Sequence, residues 1–519
     1  MCSTLTNMAL FLIFSTIIAL ILAIVLLIYW KLIRPQKRFY DLFQQQGVSC
    51  EPFVPLVGQL SDMRRESQND TIVNYRKKLI EKHGYVYVIG FGPAINLVIV
   101  EPDMLANIFG RTHAQDYRKP TGIERYFKPL IGVHNLLVSE GQEHTRSRAM
   151  LNPAFHYIKL QSLIPIMVEQ TKKSIDELMT IANKHQSIDL QTELNSITLA
   201  IIASSAFGKG FESIDNSKQI LRRSISELLA ALEYRAMRML EDIPLIRQLP
   251  FWGKNTLDRC SREISNFVDQ IIADRRQAKT ESLSSDEDLL DLLLSAVDSD
   301  GQPFNNQEIK DQALTFVLAG HETTGTLLTW TLYALMTNEK AFEACRQEVD
   351  RILPNGTELT HEHMNELVVC EAVLQETLRL YPPAAFISRE CIREHTIGSE
   401  GHRQIRIPVG ARIMVNMAVL HRREEYWPRP NEFDYTRWMR DPVTNLKPKL
   451  AHPFCYLPFA VGPRNCIGKN FALMEAKIVL AMLIQRCHFE MESGQKIVPD
   501  VRLTMRSKYG LRAKITERS

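Results

Sequence analysis

The chain has 519 residues, 45% apolar and 23% charged, a composition that is ordinary for a globular protein and excludes the collagen-like, disordered and disulfide-dense classes. Lys and Arg number 62 against 59 Asp and Glu, so there is no global basic field and we expect no nucleic-acid partner. The nine cysteines are widely spaced, with neither a C-x-x-C pair nor zinc-ligand spacing, which is typical of free thiols in a reducing compartment.

The N-terminal region contains an uncharged apolar run from Met8 to Trp30, whose 23 residues can cross a hydrocarbon core as a helix. A buried core helix would show a polar stripe, and a cleaved signal peptide would show a shorter apolar segment after a basic start, but neither pattern is present. Basic residues follow the run directly, at Lys31, Arg34, Lys37 and Arg38. The positive-inside bias therefore predicts that residues 1–33 are a signal-anchor in the lipid of the endoplasmic reticulum membrane, with the rest of the chain in the cytosol.

Local composition divides the remaining chain into a short connector and one large body. Residues 34–60 include Pro52, Pro55 and Gly58, which predicts a stiff Pro/Gly connector that is non-helical from Glu51 to Leu60. Residues 61–519 show no internal repeat and no second linker. We therefore predict that they form one domain.

Most of this body has helical periodicity. From Tyr85 to Val100, β-branched and aromatic residues surround Gly90 and Gly92, which predicts a hairpin. Strand-like alternation returns from His395 to Val415, and the polar segment Thr280 to Glu287 is predicted to be a loop. Apolar residues recur at three- and four-residue spacing in four segments, which predicts helices at Ile158–Ala182, Ile220–Leu240, Ser261–Lys279 and Gln307–Met336. The sequence predicts a mainly α fold with a small β region.

One cysteine lies in a short glycine-bracketed loop near the C-terminus, within the segment FAVGPRNCIGKNF. Gly462 and Gly468 allow tight turns around Cys466, and loop amides can point at its sulfur, an arrangement that suits a thiolate ligand of a metal. A lone cysteine is more often a buried apolar thiol. The surrounding residues are therefore what favours the ligand interpretation here.

Five residues of this loop form the pattern F-x-x-G-x-R-x-C-x-G: Phe459, Gly462, Arg464, Cys466 and Gly468. The pattern resembles the haem-binding loop of the cytochrome P450 family. The resemblance implies that Cys466 is the axial ligand of the iron of haem b. It also implies that residues 61–519 are a haem-thiolate catalytic domain. Arg464 is then a candidate for a charge-assisted pair with a haem propionate.

The predicted helix from Gln307 contains the sequence A-G-H-E-T-T, which is similar to the oxygen-binding A-G-x-D/E-T-T/S of the same family. Ala319 and Gly320 would lie where oxygen binds, since glycine weakens the helix there. Thr323 has a hydroxyl that can bond to the local backbone or hold a water, and Glu322 is a candidate proton relay. The alternative for E-T-T alone is an ordinary solvated helix face.

Three charged residues upstream of the cysteine resemble the structural triad of the family. Glu376 and Arg379 stand three residues apart and match E-x-x-R, and Arg437 lies in a segment similar to P-x-x-F-x-x-x-R. Alone, the first two would be a common surface pair. The resemblance implies a buried triad that fixes geometry behind the haem loop and has no chemical role.

Three further residues are carried over as haem contacts. Arg389 follows the segment Leu380 to Pro383 and resembles a propionate-binding arginine, and Arg148 takes the arginine position of the W-x-x-x-R helix. His144 replaces the usual tryptophan of that helix. Because an imidazole N–H can donate to a carboxylate, His144 stays open between a propionate partner and a surface residue.

The resemblance implies a haem-thiolate monooxygenase that inserts one oxygen atom from O2 into a lipophilic substrate. Electrons from NADPH would arrive through a separate flavoprotein reductase, with cytochrome b5 as a further candidate donor. The C-terminal third resembles the animal clan that contains fatty-acid ω-hydroxylases, but Ala319 stands where many of those carry a glutamate that esterifies the haem. Two alternatives remain open, a haem-thiolate isomerase or dehydratase acting on a lipid peroxide, and a non-catalytic haem-binding membrane protein.

Overall fold

The computed structural model describes residues 2–184, 187–208, 217–236, 238, 248–251, 253–281, 288–399 and 403–518. Within these ranges most of the regular structure is helical and the strands are short. The predicted mainly α fold with a small β region is therefore confirmed. The described α-helices are Cys2–Ile28, Arg34–Gln45, Leu60–Gln68, Ile72–His83, Pro102–Phe109, Ile123–Ile131, Gly141–Leu151, Tyr157–Gln161, Ile164–Ala182, Leu190–Phe207, Ser217–Ala236, Lys254–Glu281, Leu289–Ser295, Asn306–Thr337, Glu339–Ile352, Val368–Leu380, Met417–Leu420 and Lys469–Arg486.

The described strands in chain order are β1 Ser49–Cys50, β2 Val86–Phe91, β3 Ala94–Ile99, β4 Tyr117–Arg118, β5 Ile188–Asp189, β6 Phe386–Cys391, β7 His395–Ile397, β8 Ile405–Ile407, β9 Arg412–Asn416, β10 Cys487–Met491, β11 Pro499–Val501, β12 Met505–Ser507 and β13 Arg512–Glu517. One sheet has the order β1-β2-β3-β9-β6-β4 and another has the order β10-β13-β5. The remaining two sheets pair β11 with β12 and β7 with β8. The predicted hairpin is confirmed, since β2 and β3 pair antiparallel from Val86↔Ile99 to Phe91↔Ala94.

The chain divides into two compact units. The first comprises Met1–Arg118 and Ser388–Asn416, and the second comprises Lys119–Ile387 and Met417–Ser519. That residues 61–519 form one catalytic domain stays a prediction. The six-stranded sheet belongs almost entirely to the first unit, and the two longest helices after residue 119 belong to the second.

The N-terminal helix Cys2–Ile28 has apolar side chains around its whole circumference, and those of its described part are mostly exposed. The helical run Leu10–Gln45 is long and apolar enough to cross a membrane, and its most apolar window is 0% buried. A helix that is apolar on all sides and packs against nothing needs an apolar environment other than a protein core. This feature fits a membrane anchor.

The first part of the connector assigned to residues 34–60 contains a helix that the sequence did not predict. A π-turn at Tyr29–Ile33 leads directly into the helix Arg34–Gln45. Pro35 lies in the first turn of that helix, where no intrahelical N–H is needed, and Tyr40 and Phe43 are buried on one face. Only the later part of the range, before Leu60, lacks a helix.

The predicted helices are found with shifted ends. Asn306–Thr337 is confirmed, while Ile158–Ala182 is divided into two helices, Tyr157–Gln161 and Ile164–Ala182. Parts of Ile220–Leu240 and His395–Val415 lie outside the described residues. So does most of Thr280–Glu287, whose first two residues end the helix Lys254–Glu281 rather than forming a loop.

The helix Asn306–Thr337, called the long helix below, packs closely on the helix Leu190–Phe207. A Cβ atom on Gly320 would lie 2.8 Å from Ile202 Cγ1, and one on Gly325 would lie 2.0 Å from Asn195 Oδ1. Such distances are shorter than real contacts between carbon atoms allow. Gly320, predicted to weaken the helix for oxygen, therefore also serves close helix packing.

We expect Gly325→Ala to lower the free energy of unfolding, measured by chemical denaturation. Helix propensity alone would raise stability by about 1 kcal/mol, but the clash with Asn195, whose Cα would lie 3.0 Å from the new Cβ, should cost ~1–3 kcal/mol. Asn306→Ala, at the exposed start of the same helix, is the control and should change stability by less than ~0.5 kcal/mol. A Gly325→Ala protein more stable than the wild type would contradict the close packing.

The structure brings Glu376, Arg379 and Arg437 together in what we call the charge cluster. Arg379 and Glu376 are fully buried, and Arg379 donates from Nε to Glu376 Oε2 at 2.9 Å and from Nη2 to Oε1 at 2.8 Å. The other donors of Arg379 reach the carbonyls of His421, Pro430 and Glu432. All five guanidinium donors are therefore satisfied.

Glu376 also receives bonds from the segment after the helix Val368–Leu380. The backbone N–H of Asp434 and the indole N–H of Trp438 donate to it at 2.9 and 2.8 Å, and Arg437 Nε lies 3.4 Å from Oε1. A buried carboxylate with this many partners is costly to assemble but fixes the positions of everything bonded to it.

One residue connects the charge cluster to the region of Cys466. His421 offers its carbonyl to Arg379 and accepts at Nε2 from the backbone N–H of Leu457 at 2.8 Å. Burial, followed by the nearby charges of Arg422 and Arg379, lowers the pKa of His421 to about 3. The ring is therefore neutral, and Nε2 remains a hydrogen-bond acceptor for the segment that leads into the cysteine loop.

Replacing Glu376 by Gln should destabilise the protein strongly. The change leaves the buried guanidinium of Arg379 without its counter-charge, a loss worth about 3–5 kcal/mol for a buried pair. Thermal unfolding of the purified protein measures the effect, and Glu366→Gln, at a side chain that is 55% exposed, is the control. An unfolding temperature equal in the two variants would contradict the structural role of the charge cluster.

Candidate active site

Residues Phe459–Gly468 form the cysteine loop, which is closed by a backbone hydrogen bond from Cys466 N–H to the Phe459 carbonyl at 2.9 Å. Ala460 and Gly462 adopt left-handed backbone conformations, with φ of 55° and 77°. A single 3₁₀ turn, Gly462–Arg464, separates them from the cysteine. The turn pattern expected from the glycines therefore holds at Gly462, while the second left-handed residue is Ala460, which the sequence did not indicate.

Cys466 is the single exposed residue among the eight cysteines that the structure describes. Although the residue is exposed, burial of its thiol among the surrounding protein atoms raises the pKa of that thiol. The backbone N–H of Gly468 and the positive charges of Arg148 and Lys469 lower that pKa. These three groups favour the thiolate, which is the form that binds a metal.

Arg148 holds the residue directly before the cysteine. It donates from Nη1 to the Asn465 carbonyl at 2.7 Å and from Nη2 to Asn465 Oδ1 at 2.8 Å. Nε donates to Asn152 Oδ1 at 2.8 Å. The helix Gly141–Leu151 thereby fixes the cysteine loop through Arg148, and this fixation is distinct from the propionate contact predicted for that residue.

Arg464 is paired with protein groups. It donates to the Ser139 carbonyl at 2.8 Å and forms an ion pair with Glu140, which directly precedes the helix Gly141–Leu151. His144, on the same helix, is buried, so it is not the surface residue that was the alternative. The propionate roles of Arg464 and His144 stay predictions.

The long helix has one open face in its middle. From Asp311 to Leu332 every residue is buried apart from Ala319, Gly320 and Thr323. These three share one side of the helix because they are spaced one and four residues apart. The predicted oxygen-binding positions therefore coincide with the part of this otherwise buried stretch that a ligand can reach.

The two residues of the motif that were predicted to be catalytic, Glu322 and Thr323, make hydrogen bonds in different directions. Thr323 Oγ1 donates to the Ala319 carbonyl at 2.7 Å, which is one of the two arrangements expected for it. Glu322 is buried and accepts a hydrogen bond from Thr504 Oγ1 at 2.9 Å, and Thr504 is in turn 3.4 Å from Thr326 Oγ1. Adjacent residues on a helix are about 100° apart, so a relay from Glu322 to Thr323 needs an intervening proton carrier.

Arg389 belongs to the other compact unit. It is buried, its Nη1 donates to the Ser388 carbonyl at 2.8 Å, and its guanidinium lies 5.6 Å from the ring centre of Phe109. Its predicted propionate contact stays a prediction.

Sequence reasoning missed four residues that surround the predicted site. Asn465 stands next to the cysteine and Glu140 stands next to the arginine helix, so adjacency was a usable signal for both. Thr504 is 182 positions from Glu322, and nothing local indicated it. Glu475 is buried on the helix after the cysteine loop. Burial raises the pKa of its carboxyl well above the usual range, and the Thr324 hydroxyl partly offsets this rise.

These residues fit a haem. The donor set contains one exposed cysteine with three neighbouring groups that lower the pKa of its thiol. The long helix offers a small, uncharged open face made of Ala319, Gly320 and Thr323. Cysteine thiolate is an established axial ligand of haem iron in enzymes that activate oxygen. In the described part of this compact unit, the residues of the site therefore have the chemistry that the cysteine-loop pattern predicts.

Comparison with known proteins gives the same result. The family model Cytochrome P450 matches residues 48–512. Cytochrome P450 4A6 of Oryctolagus cuniculus is 28% identical over 481 residues, covering 91% of this chain and 90% of that protein. Cytochrome P450 4F12 of Homo sapiens is 30% identical over 417 residues, covering 78% of this chain and 77% of that protein.

The fold has a counterpart among solved structures. The crystal structure of the cytochrome P450DA heme domain superposes with a TM-score of 0.75 at 22% identity, covering 91% of this chain and 98% of that chain. This likeness concerns the fold alone. The family assignment instead follows from the match over residues 48–512 and from the haem-compatible cysteine loop. The chain therefore belongs to the cytochrome P450 family and is a haem-dependent monooxygenase of that family.

Proposed function

We propose that this monooxygenase inserts one oxygen atom from O2 into a lipophilic substrate, with electrons from NADPH delivered by a separate flavoprotein reductase. Cytochrome b5 is a candidate for a second electron donor. The observation that carries the proposal is the presence of two features in one compact unit: the exposed Cys466, whose neighbours partly offset the effect of burial on its pKa, and a face of the long helix that is not buried and includes Thr323.

The proposed location is the endoplasmic reticulum membrane, with residues 1–33 as anchor and the catalytic domain in the cytosol. The exposed apolar helix Cys2–Ile28 supports an anchor, and the basic residues that follow it support this orientation. The helix Arg34–Gln45 continues from the anchor helix through the π-turn. It gives the connector a stiff first part.

In this proposal the cysteine loop prepares the metal ligand. When bound, the haem supplies a thiolate-ligated iron at which O2 is activated for insertion into a C–H bond or double bond. Cys466 holds this group through its sulfur. Arg148 keeps Asn465, and with it the loop, in place, while the Gly468 amide stabilises negative charge on the sulfur.

The long helix carries the two side chains that deliver protons in this proposal, Glu322 and Thr323. Reduction of O2 with release of one oxygen atom as water consumes two protons, which must reach a site shielded from solvent. Thr323 presents a hydroxyl on the open face, and rotation about its Cα–Cβ bond exchanges the Ala319 carbonyl for a water. Glu322, held by Thr504, is the nearest carboxyl on that helix and the proposed source of the protons.

The rival function is a haem-thiolate isomerase or dehydratase acting on a lipid peroxide. Such an enzyme receives its oxygen already bonded in the substrate and needs neither reductase nor proton delivery. The Glu322 and Thr323 side chains in the middle of the long helix favour the monooxygenase, because an isomerase has no use for a proton relay there. A non-catalytic haem-binding membrane protein would show no turnover with any substrate.

We expect Thr323→Ala to uncouple the enzyme. With reductase, NADPH and a lipophilic substrate selected from a panel by its spectral binding shift, NADPH consumption should continue while most of the electrons end in hydrogen peroxide. Loss of a positioned proton donor typically lowers product formation by about 10²–10⁴-fold, and a replacement water makes the lower end the expected one. The measurement is the ratio of product to peroxide per NADPH.

Thr337→Ala is the matched control, because Thr337 Oγ1 makes the same bond to the carbonyl four residues earlier at the exposed end of the same helix. It should keep wild-type coupling. Isotopically labelled O2 should place one labelled atom in the wild-type product. Turnover of a lipid hydroperoxide without O2 and reductase, together with unlabelled product, would establish the isomerase instead.

A further inference from the structure

Two histidines and an aspartate meet in the first compact unit. His113 precedes the 3₁₀ turn Ala114–Asp116, and His395 is the first residue of β7. One ring nitrogen of each histidine and one oxygen of Asp116 all lie within 4.8 Å of one another. We call these three residues the histidine cluster.

The backbone around the histidine cluster is fixed by pairing. Tyr117 in β4 pairs with Cys391 in β6, and the Ile392 N–H donates to the Asp116 carbonyl at 2.8 Å. These contacts join two segments almost 280 positions apart in sequence. The cluster therefore stands on a sheet edge and does not depend on a free loop.

The hydrogen bonds of His395 show where its proton lies. Nδ1 is 2.8 Å from the Arg393 carbonyl, which can only accept, so Nδ1 carries the hydrogen. Nε2 then has a lone pair, and the Tyr117 hydroxyl, 2.9 Å away, donates to it. Burial raises the pKa of Tyr117, so this hydroxyl stays a donor. An Nδ1–H bound to a backbone carbonyl is the usual outer contact of a metal-binding histidine.

His113 and Asp116 already have nearly the spacing of two ligands on one ion. His113 Nδ1 lies 2.8 Å from Asp116 Oδ2. Ligand atoms at ~2.0–2.2 Å from a tetrahedral zinc ion are about 3.3 Å apart. A cation therefore fits between these two atoms after a small outward shift, in place of the hydrogen that they share. That hydrogen moves through solvent to Nε2 of the partly exposed His113 ring.

We propose that the histidine cluster binds one divalent transition-metal ion of the Zn²⁺ class, through His113 Nδ1, Asp116 Oδ2 and His395 Nε2. Two imidazoles and one carboxylate are a donor set that suits zinc and its neighbours, whereas Ca²⁺ and Mg²⁺ prefer oxygen ligands alone. Water completes the tetrahedron. The ion would join the segment before β4 to the start of β7.

Two contacts oppose the cation and define the test. The His113 and His395 rings stack at 4.1 Å with 12° between their planes, so the His395 ring must turn and give up its bond from Tyr117. Arg393 Nη1 lies 3.3 Å from Asp116 Oδ1 and repels a cation, but its side chain is 80% exposed and can swing away.

The experiment measures Zn²⁺ binding to the full-length holoenzyme in detergent, by competition with a colorimetric chelator. The wild type should bind one Zn²⁺ per chain. His113→Ala and His395→Ala should each weaken binding by roughly 100-fold or more, beyond what loss of an outer contact costs. Arg393→Ala and Tyr117→Phe remove the opposing contacts and should tighten binding several-fold.

His156→Ala, at an exposed histidine of the other unit, is the control and should leave Zn²⁺ binding unchanged. The carbon monoxide spectrum of each variant reports whether it has folded, and Arg393→Ala, at an exposed side chain, keeps the test valid where a ligand variant does not fold. Absence of stoichiometric binding by the wild type would overturn the proposal. Wild-type affinity in both His113→Ala and His395→Ala would also overturn it, because a site elsewhere does not need these two rings.

Discussion

The structure around Cys466 depends on the closure of its loop and on the groups that this closure places beside the sulfur. A hydrogen bond from Cys466 N–H to the Phe459 carbonyl closes the loop. Burial raises the pKa of the thiol, whereas the Gly468 amide and the positive charges of Arg148 and Lys469 lower it, so these three groups stabilise negative charge on the sulfur. The other described cysteines are more shielded and lack this combination.

The charge cluster provides the rigidity behind this loop. Glu376 and Arg379 are fully buried, and such a pair adds little net stability compared with apolar residues of the same size. Its value is geometric, since every donor of Arg379 is assigned to one acceptor. Neutral His421 extends this hydrogen-bond network to Leu457, two positions before the cysteine loop. Leu457 in turn accepts at its carbonyl from the Ala460 N–H at 3.0 Å, which connects this network to the cysteine loop.

Much of this arrangement could be predicted from the sequence, because the informative features are local. The glycine-bracketed cysteine, the hairpin and the long helix each follow from spacing within a few turns of chain. Which side chains pair with each other across the fold could not be predicted in the same way. Arg464 pairs with Glu140 and Glu322 with Thr504, across 324 and 182 positions. Periodicity gives the face of a helix, but only the tertiary fold decides which side chain lies opposite.

Two other differences have physical causes. The start of the connector is helical because Pro35 is tolerated in a first turn and the following residues bury one apolar face. Gly320 lies against Ile202 in a close helix contact as well as beside the open face. A glycine in a functional motif can therefore have a packing role that the motif alone does not reveal.

The most direct test of Cys466 as the iron ligand is the carbon monoxide difference spectrum of the reduced protein. The wild type should show the red-shifted Soret band of thiolate-ligated haem. Cys466→Ala should lose that band, and Cys455→Ala, at a buried cysteine close in sequence, should keep it. Retention of the band in Cys466→Ala, with its loss in Cys455→Ala or another cysteine variant, would contradict the assignment of the iron ligand.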